Sequence, residues 1–282
     1  IGVIVLNQRE LIEKAFEEAG IKSQDVSAFA ATVGPGLVGS LLVGLNAAKT
    51  LSLVYDKPFI GVNHLNAHVS ANYIDTDLEP PFICLLVSGG HTQLIRVNSY
   101  DNQEILGETL DDAVGEAYDK VARLMGLPYP GGPNLDKLAK TGDKYRFKFT
   151  KAKVGEYDFS FSGLKTAVLR LVQELKSDEY RDKDLPIADI AASFQETVSE
   201  VLVQKTVHAA NAAGIKQVAL AGGVAANSEI RRKFFELENS GFKVYAPQMK
   251  YCTDNASMIA SSAYFLSNIM EELDIEVFSR MK

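Results

Sequence analysis

Three times in this chain an apolar run of strand length breaks into a turn centred on glycine. The turns are "VGPGLVG" (Val33–Gly39), "LVSGGHTQ" (Leu86–Gln93) and "AGGVAAN" (Ala221–Asn227). Glycine lets the backbone approach a ligand closely and leaves amides able to face phosphate oxygens. One such turn needs glycine for its own geometry; three, each leaving an apolar strand, leave open both a nucleotide site and ordinary tight turns. None fits G-x-x-x-x-G-K-[ST] or G-x-G-x-x-G, so neither a P-loop nor a dinucleotide-binding fold is supported.

The segments between these turns alternate in period. "LIEKAFEEAGI" has helical spacing and stops at Gly20, a C-cap residue. "VSAFAATV", "PFIGVN" and "KVYAP" read as strands, "PPFICLLVSGGHTQLIRV" as a hairpin, and "CTDNASMIASSAYFL" opens a last helix. From Thr109 to about Ala210 the pattern is mostly helical, broken at "LPYPGGP" and "YDFSFSGLK". The order predicts α/β architecture in two lobes, residues 1–79 with 256–282 and residues 80–255, the second carrying a helical insertion at about 109–210.

With 282 residues, 46% hydrophobic and 23% charged, the chain can fill two cores. Its net charge of −7 argues against holding nucleic acid by bulk charge. Cys84 and Cys252, far apart in sequence, suit a reducing compartment rather than a disulfide scaffold. The most apolar window, Ala28–Ala48, contains four glycines, Pro35, Thr32, Ser40 and Asn46, and reads as a buried strand–loop–helix instead of a membrane span. No secretory signal is visible, and a first residue of Ile rather than Met leaves the true start open. The expectation is a cytoplasmic, soluble protein without membrane contact.

Only four histidines occur, and His64 and His68 stand four apart in "HLNAH". On a helix, positions i and i+4 share a face with Cβ atoms about 5–6 Å apart, so both imidazoles can reach one metal ion. A third ligand should be a carboxylate. Asp254 in "YCTDNAS" stands just before a helix, although taken alone an Asp there reads first as an N-cap.

Eight motifs, in order from about Ala15 to the end of the chain, resemble the TsaD family. They are "GPGLVGSLLVGLNAAK", "HLNAH", "LLVSGGHTQL", "GETLDDAVGEAYDKVARLMGLPYPGGP", "DFSFSGLKTAV", "ASFQETV", "AGGVAANSEIR" and "CTDNASMIA". The resemblance implies an actin-like two-lobed fold of the sugar kinase and Hsp70 ATPase type. It implies transfer of a threonylcarbamoyl group from threonylcarbamoyl-AMP to N6 of the adenosine 3′ to the anticodon, in tRNAs reading codons that start with A. His64, His68 and Asp254 would hold one divalent metal per subunit, iron or zinc. The adenylate-binding positions would be Leu86, Val87, Ser88, Gly89, Gly90, Asp119, Gly132, Asp136 and Asn227. On that reading the Ser88–Gly90 amides cradle a phosphate and Asp119 or Asp136 accepts hydrogen bonds from ligand hydroxyls. Gly132 would permit close approach, and Asn227 would bond sugar or base with both arms of its amide. The implied partners are tRNA and proteins of the bacterial TsaB and TsaE type, with a homodimer left open.

Two departures accompany the resemblance. Asn66 stands between the histidines where many bacterial members have Glu, which puts a carboxylate auxiliary in doubt. The family's opening hairpin is not in this sequence, and "IGVIVLNQRELIEKAF" runs from strand to helix without a turn. The expectation is that a segment is missing within Val3–Leu6. Three rival functions weigh less. The family once carried the name of an endopeptidase, but Leu65 occupies the place of the Glu that H-E-x-x-H chemistry needs. Paired imidazoles are poor Mg²⁺ ligands, which disfavours a phosphotransferase. A non-catalytic scaffold like TsaB needs no such constellation.

The remaining polar features divide between chemistry and surface. His91 follows the Ser-Gly-Gly turn and could line the site; His208 reads as an ordinary or satisfied helix residue. Asp136–Lys153 holds seven basic and two acidic residues, a local +5, and reads either as a solvated loop or as a phosphate-contacting patch. Arg231–Lys233 reads as the polar face of a helix.

Overall fold

The computed structural model describes residues 8–177, 184–266 and 274–279. The expectation for Val3–Leu6 lies outside the described residues. The chain forms two compact units, Ile1–Ala71 with Asn255–Lys282, and Asn72–Asp254.

In the first unit, helix α1 (Gln8–Ala19) ends in a Schellman motif. Gly20 takes φ +66°, its N–H donates to Glu17, and the Ile21 N–H reaches back to Phe16. Strand β1 (Phe29–Gly34) pairs in parallel with β2 (Phe59–Asn63), Phe29 opposite Phe59, and helix α2 (Val38–Tyr55) makes the crossover. The core joins Phe29, Ala31, Val33 and Phe59 to Leu45 and Ala48 of α2. Two more helices belong here, α3 (His64–Ser70) and α10 (Ala256–Phe265), the latter numbered in chain order with the elements below.

The window expected to be buried is buried only in part. Helix α2 sinks Leu45, Ala48 and Ser52 but leaves Val38, Leu42, Leu53 and Val54 exposed. Its length and apolarity alone would suit a membrane crossing. Its place in a β–α–β crossover, with Lys49 Nζ donating to the Ile275 carbonyl, accounts for the buried Leu45 and Ala48 as a packing face but not for the exposed apolar residues.

The second unit is built on a five-stranded sheet in the order β5-β4-β3-β6-β7. Strands β3 (Phe82–Val87), β4 (Thr92–Ser99) and β5 (Asn102–Glu108) form an antiparallel meander. Beyond β3, β6 (Gln217–Ala221) and β7 (Lys243–Tyr245) run parallel. Strand β3 is buried at all six positions, as an apolar central strand must be. Strand β5 went unread in the sequence because an edge strand mostly facing water carries no apolar alternation.

Helices α4 (Val114–Leu124), α5 (Gly131–Ala139), α6 (Ser162–Ser177) and α7 (Ile187–Ala212) follow the meander. Residues 140–161 are irregular apart from one bridge, Thr109 with Phe159, so the expected helical stretch is less helical than its pattern suggested. Helix α8 (Ser228–Phe235) and the short α9 (Met249–Cys252) complete the unit. Its core packs Val114, Tyr118, Leu135, Phe159, Phe161, Ile190, Phe194 and Phe234 against β3 and β6.

A candidate metal centre and a glycine-turn site

Strand β2 hands the chain directly to α3, and Asn63 caps the helix by accepting from the Leu65 and Asn66 amides at 2.9 and 3.3 Å. That cap fixes His64 in the first turn and His68 in the last, their ring centroids 4.8 Å apart and nearly perpendicular. His68 is buried, His64 half-buried and Asp254 exposed. Helix α10 packs on α3, with Ser261 Oγ donating to the Ser70 carbonyl at 2.8 Å.

The cap of α10 is Asn255, whose Oδ1 accepts from the Met258 N–H at 2.9 Å. Asp254, one residue earlier, therefore does not hold the capping role that its position first suggested. One donor atom each from His64, His68 and Asp254 lies within 4.8 Å of the others, the one such cluster among the described residues. An ion bound at about 2.1 Å in tetrahedral geometry holds its donors about 3.4 Å apart, within reach of small side-chain rotations. Two neutral imidazoles and a carboxylate form a donor set suited to zinc or ferrous iron. Asn255→Ala should cost about 1 kcal/mol in urea denaturation, the scale of a lost N-cap. Asp254→Ala, which leaves the Asn255 cap in place, should cost less than that; equal losses would mean that Asp254 shares the capping role.

The second constellation lies at the ends of β3 and β6. Leu86 and Val87 are interior strand residues. The turn after them closes when Ser88 N–H donates to the His91 carbonyl and His91 N–H to Ser88 Oγ. Gly89 and Gly90 face open space; a Cβ on either would meet nothing within 4 Å. Gly115, at the start of α4, donates to the Ser88 carbonyl, so the turn rests on a helix end. One turn further along α4, Asp119 Oδ1 accepts from the Gly132 amide at 3.0 Å and pins the start of α5.

Asp136 and Asn227 are joined through a residue that sequence reasoning missed. Gln195, buried on α7, donates from Nε2 to Asp136 Oδ1 at 3.0 Å and accepts from Asn227 Nδ2 at 2.9 Å. Ser228 adds a hydroxyl bond to Asp136 Oδ1 at 2.8 Å and an amide bond to Oδ2 at 3.3 Å. Asn227 Oδ1 caps α8 by accepting from Glu229 and Ile230. The expectation that Asn227 offers both arms to a ligand is thus corrected, because its oxygen and one N–H are committed within the protein. The available signal for Gln195 was its place in the motif "ASFQETV", beside Phe194.

The basic stretch is not a free +5 patch. Lys144 pairs with Glu196 at 3.1 Å, Arg146 with Asp189 at 2.7 Å and Lys151 with Glu200 at 2.8 Å. Arg231 is likewise no mere surface residue; its guanidinium donates to the Ala225 and Pro247 carbonyls. His208 pairs with Glu156 at 2.7 Å, and His91 is half-buried beside the glycine turn.

Asp189 has its carboxyl held below the usual range, first by the Asp143 N–H and then, against partial burial, by Arg146. A depressed folded-state pKa contributes stability above the unfolded value of about 3.9, and that stability is lost as pH falls through the folded value. Asp189→Asn should therefore lower the urea midpoint at pH 7 and narrow the gap to wild type as pH falls below about 4. A gap independent of pH would show that the pair contributes no charge-linked stability.

Comparison with known proteins concerns the chain as a whole. The profile of the family described as TsaD, tRNA N6-adenosine threonylcarbamoyltransferase, matches residues 6–261. A curated protein of that name from Microcystis aeruginosa is 50% identical over 282 residues, covering 96% of this chain and 80% of its own. Another of that name, from Caldicellulosiruptor bescii, is 50% identical over 257 residues, covering 90% of this chain and 76% of its own. Among solved structures, full-length HypF in a phosphate- and nucleotide-bound form superposes with a TM-score of 0.68 at 18% identity. The match covers 92% of this chain, which spans 41% of that one. At that identity the likeness establishes the fold alone: α/β of the actin-like ATPase class.

Proposed function

Because the chain belongs to the TsaD family of tRNA N6-adenosine threonylcarbamoyltransferases, we propose that it transfers threonylcarbamoyl from threonylcarbamoyl-AMP to tRNA. The acceptor would be N6 of the adenosine 3′ to the anticodon, in tRNAs that read codons starting with A. The observation that carries this reading is the cluster of His64, His68 and Asp254, drawn from two distant parts of the sequence. Those three residues would hold one divalent ion, iron or zinc. When bound, it supplies Lewis-acid polarisation of the carbamoyl carbonyl.

The rest of the chemistry belongs to the chain. The open backbone at Gly89 and Gly90 suits a phosphate group, whose charge backbone amides can meet without reorganising. Ser88, pinned by His91 and Gly115, would keep that rim in place. Asp136 would accept from a ribose hydroxyl, with Asp119 and Gly132 shaping the wall beside it. In the transfer, N6 bonds to the carbamoyl carbon, the bond from that carbon to the phosphate oxygen breaks, and AMP leaves with the electron pair. N6 gives up one proton, which passes to solvent water.

The resemblance implies the partners, and the charge of the chain supports a need for them. At −7 overall, with three cations of its basic stretch paired internally, the chain is poorly suited to grip a polyanion alone. Proteins of the TsaB and TsaE type would supply that grip in the cytoplasm, and a homodimer remains a second arrangement. The test is reconstitution with labelled threonine, bicarbonate, ATP, tRNA, the adenylate-forming enzyme and those two partners. Label entering tRNA only when this chain is present supports the reading. No label despite confirmed threonylcarbamoyl-AMP overturns it.

A further inference from the structure

We propose that Gln195 is the positioning residue of the adenylate site, acting through Asp136 without touching the ligand. The inference rests on the adenylate reading above and adds a residue to it.

The argument is one of hydrogen-bond direction. An ionised carboxylate only accepts, so Asp136 obliges the Gln195 amide to present Nε2 towards it. Gln195 Oε1 must then face Asn227, which obliges Asn227 to answer with Nδ2. Asn227 Oδ1 is thereby turned to the Glu229 and Ile230 amides, which need an acceptor. Reversing either amide sets donor against donor or acceptor against acceptor. One polarity therefore runs from α5, through α7, to the cap of α8. Gln195 is 4% exposed, so water cannot readily take its place.

The same bonds decide what Asp136 has left for a ligand. Oδ1 is taken by Gln195 and Ser228 Oγ at 3.0 and 2.8 Å. Oδ2 has only the Ser228 amide at 3.3 Å and Lys140 at 4.0 Å. Acceptor capacity is thus concentrated on Oδ2, and Gln195 keeps the carboxylate from rotating that oxygen away. Without it, Ser228 alone holds the carboxylate, by its hydroxyl at Oδ1 and its longer amide bond at Oδ2, and no second residue fixes the rotamer.

The test is AMP binding by calorimetry to the full chain, with urea denaturation alongside. Gln195→Met keeps the volume but makes no hydrogen bonds; it should weaken AMP binding about tenfold while the protein stays folded. In the transfer assay KM for the adenylate should rise while kcat stays within about threefold. Gln195→Met in an Asp136→Asn background should change AMP affinity less than twofold, since the effect runs through the carboxylate. Should the Met variant fail to fold, Gln195→Glu keeps the acceptor for Asn227 and loses the donor to Asp136, and should weaken AMP binding at least as much. A folded Met or Glu variant that binds AMP like wild type overturns the role of Gln195 alone. Additive losses in the double variant overturn the route through Asp136. A wild-type chain that does not bind AMP overturns the adenylate reading itself.

Discussion

Replacing His68 with alanine should empty the proposed metal centre and reduce threonylcarbamoyl transfer below about 1% of wild type. Loss of a residue that merely supports a metal ligand typically costs about 10–100-fold in affinity or activity, and loss of a ligand should exceed it. Burial ranks the three positions. His68 is buried, so no water can replace its nitrogen from bulk solvent, whereas Asp254 is exposed and water can enter in its place. The order of severity should be His68→Ala, then His64→Ala, then Asp254→Ala. Elemental analysis of purified protein checks it, together with the transfer assay. A His68→Ala protein that still holds one equivalent of metal would remove the centre from the mechanism.

What was legible in the sequence followed period and spacing. The β1–α2–β2 crossover, the β3–β4 hairpin and the turn after β6 are written in apolar runs broken by glycine, where local geometry leaves few options. The His-x-x-x-His face was legible for the same reason, since helix pitch alone aligns it. What failed depended on distant partners. Asp254 and Asn255 can both cap a helix, and only the placed backbone shows that Asn255 does so. The stretch after Asp136 looked basic because its counter-charges lie on α7. Asp189, Glu196 and Glu200 are spaced by seven and four, one face of a helix, and each meets a cation of that stretch. Gln195 was hidden because a buried glutamine declares itself only when both neighbours are in place.

The largest expected stability effect is Gly222→Ala, at about 3–5 kcal/mol, enough to compromise the second unit. Two costs combine. Gly222 has φ +88° and ψ 171°, a region essentially reserved for glycine, which alone costs about 1–3 kcal/mol for another residue. A Cβ there would also lie 2.3 Å from the Val87 carbonyl oxygen, a backbone atom that no rotamer change can move aside. The contact arises because β3 and β6 are parallel neighbours, Leu86 opposite Ala221, and both leave the sheet at the same end. Relief would require parting the strands exactly where the two glycine turns begin. Gly223→Ala is the internal control, because its Cβ would meet only the Thr253 methyl, at 4.0 Å. Gly89→Ala meets nothing within 4 Å, so it should leave stability intact and, under the proposed function, obstruct only the ligand. Hydrogen exchange of the β3 and β6 amides measures the loss in the unit concerned. If Gly222→Ala exchanges as slowly as wild type, the two turns do not abut, and the shared rim they would form for an adenylate loses its structural basis.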